Sequence, residues 1–97
     1  MSAPESPRWN RLADELRAAG HGVAITSRSF PGGFSYSIEF RAGDVLVCIH
    51  DKTAHNAWAG WQVHTEGLKD SLVKRTWPLT KKRTGVVAAV REAVLPA

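Results

Sequence analysis

The chain has 97 residues, 43% of them apolar and 23% charged, with a net charge of +4 and one cysteine. That length suits one domain with one core, the composition excludes a disordered or membrane-embedded chain, and the lone Cys48 excludes an internal disulfide and fits a reducing, cytoplasmic setting. No apolar stretch approaches the roughly 18 residues of a membrane span and no basic start leads into an apolar run, so a soluble chain that makes no membrane contact is expected.

Ser6 followed by Pro7 predicts a helix start, because serine caps free N–H groups and proline is tolerated at the first helical position. Trp9, Leu12, Ala13, Leu16 and Ala19 then recur at helical spacing opposite Arg11, Asp14, Glu15 and Arg17, and Gly20 supplies a stop. From Gly22 the period changes to two, with Val23 and Ile25 on one face, until Phe30-Pro31-Gly32-Gly33 turns the chain. Phe34, Tyr36, Ile38 and Phe40 alternate with Ser35, Ser37, Glu39 and Arg41, the pattern of a strand with one wet face.

Arg41-Ala42-Gly43-Asp44 predicts a tight hairpin into Val45–Ile49, a strand apolar on both faces and so central in its sheet. Asp51–Asn56 reads as a loop and Trp58–Thr65 as the next strand, with Trp61 and Val63 sharing a face. Residues 71–77 predict a fifth strand carrying Val73, Arg75 and Trp77 on one side. Thr80 is expected to cap a closing helix whose apolar face is Val86, Val87, Val90, Ala93 and Val94, with Gly85 weakening it by about 1 kcal/mol relative to alanine. The expected fold is α+β: an N-terminal helix, an antiparallel meander of four or five strands and a C-terminal helix, both helices on one sheet face. It forms a single domain over 1–97 with flexible ends at 1–5 and 95–97.

The basic charge is local. Residues 69–83 carry a net +5, leaving the rest of the chain at −1. Lys81, Lys82 and Arg83 are expected in the first turn of the last helix, where the helix dipole makes each cation cost about 0.3–1 kcal/mol, so stability alone would not favour them there. Together with Lys74 and Arg75 on the adjacent strand, they suit a phosphate or another anion; a solvated, solubilising end is the plainer account. Thr80-Lys81-Lys82 and Ala88-Ala89 resemble the double-stranded-RNA-binding domain, whose last helix begins with a capping hydroxyl and two lysines and follows three antiparallel strands. Residues 51–77 are additional to that family, the glycine-rich end of its third strand is missing, and Gly85 stands where a further basic residue belongs.

His50, Asp51, His55 and His64 fall around one predicted loop, but their spacing matches no ligand motif, so surface histidines are the expectation and no metal or cofactor is assigned. Cys48, between Val47 and Ile49, reads as a small core residue rather than a nucleophile, and no nucleophile elbow or phosphate-cradling loop occurs. Trp58 has opposite strand parity to Trp61. It is therefore a candidate stacking contact, unless a bulge near Gly60 turns both rings inward. The expectation is a non-enzymatic module that binds nucleic acid or another polyanion through Lys74, Arg75, Lys81, Lys82, Arg83 and Trp58. The alternative is a protein partner or homo-oligomer using the sheet edge or the tryptophan-bearing face.

Overall fold

In the computed structural model, which describes residues 5–67 and 74–95, Ser6 caps helix α1 (Pro7–Ala18) by accepting a hydrogen bond from the Trp9 N–H at 3.4 Å. Gly20, at φ +99°, then takes the left-handed conformation that ends the helix, so Ala19 falls outside the stripe and is exposed. Five antiparallel strands follow as a meander: β1 (Ile25–Phe30), β2 (Gly33–Ala42), β3 (Val45–Ala54), β4 (Ala57–Gly67) and β5 (Arg75–Thr76), with β3 at the centre. Helix α2 (Arg83–Val94) closes the chain. This is the α+β arrangement that the periodicities predict. Among the described residues no helix is long and apolar enough to cross a membrane.

Both helices cover the same face of the sheet. Trp9, Leu12 and Leu16 of α1 and Val86 and Val90 of α2 meet Ile38 of β2, Val47 and Ile49 of β3, and Trp61 and Val63 of β4 in one buried cluster. Each such side chain contributes roughly 1.5–3 kcal/mol by leaving water. Polar contacts fix the helices in place: the Trp9 indole N–H donates to Asp51 at 3.3 Å, and the Arg83 guanidinium donates to Glu15 at 3.1 Å across the two helices.

The structure corrects two expectations and decides between the two readings of Trp58. Asp51–Ala54 is not loop but the end of β3, and only His55 and Asn56 turn, both at positive φ (52° and 62°) as a two-residue hairpin of the I′ kind requires. Residues 52–57 at this hairpin tip are all exposed, so the strand there carries no apolar alternation to reveal it. Next, Lys52 pairs with Gly60 and Thr53 with Trp58, leaving Ala59 as the extra residue of a bulge. The bulge reverses strand parity and puts Trp58 against Trp61, ring centroids 4.9 Å apart at 79°. Last, Thr80 is not the cap of α2. It forms a bridge with Trp61, each backbone N–H donating to the other's carbonyl (2.8 and 3.0 Å), and the cap position falls two residues later, at Lys82, with the helix beginning at Arg83.

Of the predicted fifth strand, residues 71–73 lie outside the described residues. Arg75 and Thr76 pair with β4, and the Trp77 N–H extends the ladder by donating to the Val63 carbonyl at 2.9 Å. The expected flexible ends, 1–5 and 95–97, also fall outside the described residues except for Glu5 and Leu95.

Candidate anion-binding surface

Thr80 organises the approach to α2, and two glycines make room for it. Gly60 sits at φ +138°, and a Cβ there would lie 2.7 Å from the Thr80 carbonyl oxygen, so only glycine lets this segment lie against β4. A Cβ on Gly85 would lie 2.7 Å from the Thr80 hydroxyl oxygen. Gly85 is therefore a packing position, although from sequence it reads only as a weak helix former. The Thr80 hydroxyl accepts a hydrogen bond from the Lys82 N–H at 3.1 Å, and the Lys82 carbonyl accepts from Gly85 and Val86 at 3.0 and 3.2 Å. The Lys82 side chain makes no capping hydrogen bond and the first turn holds no acidic residue, which leaves the first helical N–H groups without a partner inside the helix.

The five cations fall into two groups. Lys81, Lys82 and Arg83 cluster at the start of α2, with only Arg83 inside the first turn and hydrogen-bonded to Glu15; Lys81 and Lys82 precede the helix and are exposed. Lys74 and Arg75 belong to the β5 edge. The Arg75 guanidinium lies 4.6 Å over the Trp77 ring and 3.9 Å from Glu92, which also accepts the Trp77 indole N–H at 2.7 Å. Nine residues of helix, about 13 Å at 1.5 Å per residue, separate Arg83 from Glu92, so the two groups stand towards opposite ends of α2. Lys74, Lys81 and Lys82 have no ion-pair partner among the described residues.

Trp58 is placed differently from the cations. It is half-buried on the helix-bearing side, its ring packed on Trp61 and covered by the Arg8 guanidinium at 3.9 Å, and its indole N–H has no acceptor among the described residues. Stacking a base on it requires the base to displace Arg8.

The opposite face of the sheet brings together residues that sequence spacing leaves apart. Cys48 is buried, as its setting between Val47 and Ile49 predicts, but it alternates with them and so lies on the sheet face away from the helices, outside the cluster that the helices cover. It stands opposite His64 in the β3–β4 register, and His64 in turn meets Glu66 at 3.4 Å and the His50 ring at a centroid distance of 5.0 Å. Of the predicted histidine group, His50 and His64 converge, Asp51 turns to Trp9 on the helix side, and His55 is at the hairpin tip. Burial pushes the Cys48 thiol up from 9.0 to about 11, with Glu39 and Glu66 adding to the effect, so at neutral pH it is a thiol and a poor nucleophile. Burial, and then His64 and Lys52, hold His50 below its ordinary 6.5 against the opposing Gln62 hydrogen bond and Asp51 charge. No known family, curated protein or solved structure matches the chain.

Proposed function

We propose that the chain is a non-enzymatic binding module for a polyanion, nucleic acid above all, acting in a reducing cytoplasm. Its contact surface runs from Lys74 and Arg75 to Lys81, Lys82 and Arg83. The observation that carries this reading is the start of α2, where two exposed lysines, without ion-pair partners among the described residues, lead into a helix whose first turn holds no acidic residue and whose cap residue makes no side-chain hydrogen bond. The separation of the two cation groups along α2 favours a chain of phosphates over one small anion. Arg75 and Arg83 are already held by Glu92 and Glu15, so the lysines, which have no ion-pair partner among the described residues, dominate the phosphate contacts. The affinity for duplex and single-stranded nucleic acid, measured at two salt concentrations, tests this. Three lysines neutralising three phosphates predict a log–log slope of about −2 to −3. Absence of binding at low salt overturns the proposal.

The outer edge of β1 favours a second reading, a protein partner or a second copy of the chain. Among the described residues β1 pairs only with β2, its residues from Thr26 to Phe30 are exposed, and Phe30 keeps 52% of its surface in solvent. An unpaired edge is a template for strand addition. Solution mass at high salt decides it: a dimer broken by a proline in β1 supports self-association, and a monomer excludes it.

A further inference from the structure

We propose that Cys48, His64 and Glu66 bind a single divalent transition-metal ion of the zinc class on the open face of the sheet, a site separate from the basic surface. Their ligand atoms, a thiol sulfur, an imidazole nitrogen and a carboxylate oxygen, all lie within 4.8 Å of one another. A tetrahedral shell with metal–ligand lengths of about 2.0–2.3 Å places neighbouring ligand atoms about 3.3–3.8 Å apart. The His64 to Glu66 separation, 3.4 Å, already meets that spacing, and small side-chain rotations close the rest.

The backbone explains why these atoms converge. Residues two apart on a strand share a face, so Cys48 and His50 form one pair on β3 and His64 and Glu66 another on β4. The register sets Cys48 directly opposite His64, where Cβ atoms are about 4.5–5.5 Å apart. His50 adds a second imidazole beside His64. Two paired central strands therefore carry the whole ligand set, and no loop has to rearrange.

Charge and access favour a cation here. Glu39 stands opposite Cys48 on the other side, in the β2–β3 register, so carboxylates flank the thiol from both neighbouring strands. Among the described residues neither Glu39 nor Glu66 is ion-paired to a lysine or arginine. Cys48 forms the floor of the site, and the half-exposed Glu66 side chain forms its solvent side. Thiol and imidazole together select zinc, cobalt, nickel or copper over magnesium and calcium. On binding, the Cys48 sulfur releases its proton to solvent as the metal–sulfur bond forms.

Titration of the reduced, full-length protein with cobalt(II) alone, followed by displacement with zinc(II), tests the proposal. The expected result is a thiolate-to-cobalt absorption band that saturates at one ion per chain and is bleached by zinc. Cys48→Ser abolishes the band, His64→Gln and Glu66→Gln each weaken cobalt binding at least tenfold, and His55→Gln leaves it unchanged. Far-UV circular dichroism confirms that each variant is folded, and the wild-type band does not depend on any variant. Absence of the band in the wild-type protein overturns the site. So does a band whose affinity stays within twofold when His64 or Glu66 is replaced.

Discussion

Helix α1 begins on Ser6, whose hydroxyl accepts the Trp9 N–H and which is followed by a proline, whereas α2 begins on Lys82, whose side chain caps nothing, within a run of three cations. A serine, threonine or aspartate cap stabilises a helix by about 0.5–2 kcal/mol, and each cation near the positive end of the dipole costs about 0.3–1 kcal/mol. The first start is what stability favours. The second is what stability disfavours and an anion would reward, and that contrast is the physical content of the proposed function.

Trp61 lies between the two starts, its ring 6.3 Å from Trp9 of α1 and its backbone bridged to Thr80 before α2. Trp61→Ala keeps the backbone bridge to Thr80 but empties the ring's place against Trp9 and Trp58, and is expected to cost about 3–5 kcal/mol in chemical denaturation, the largest effect on this comparison. Gly85→Ala acts on the second start alone. Helix propensity predicts a gain of about 1 kcal/mol, but the Thr80 hydroxyl in the way predicts a loss of about 1–3 kcal/mol, largely recovered in the Gly85→Ala, Thr80→Ala double variant. Ser6→Ala acts on the first start alone and is expected to cost about 0.5–2 kcal/mol without altering nucleic-acid affinity.

A smaller effect comes from the open face, which belongs to neither start. Because His50 is held below 6.5 in the folded protein, the unfolded chain takes up its proton first. The associated stability is fully present above pH 6.5 and is lost as pH falls through the lower folded value. The thermal midpoint is expected to decline on the acid side of 6.5, less steeply in His50→Gln than in the wild type; equal slopes would exclude His50 as a contributor.

The α1 start and the alternation from Phe34 to Phe40 were legible in the sequence because one local interaction decides each: a cap for the helix, a single buried face for the strand. The α2 start was not. Thr80 has the chemistry of a cap, but the backbone bridge to Trp61 holds it two residues too early, and that pairing depends on Gly60, which is 20 residues away. Trp58 escaped a firm reading for a related reason, since one extra residue at Ala59 reverses every later parity. The side of β3 on which Cys48 is buried also depends on partners, because Val45–Ile49 is apolar on both faces and only the helices distinguish them.

Lys82→Asp separates stability from binding in one protein and tests the account most directly. Placing a capping carboxylate at the start of α2 is expected to raise stability by about 0.5–2 kcal/mol. It also replaces a phosphate-binding cation with an anion, so affinity for nucleic acid at fixed low salt should fall and the salt slope should shrink by about one phosphate, 0.7–0.9. A stabilised variant whose affinity and salt slope match the wild type would contradict the account, showing that the cations at this helix end are no more than a solvated surface.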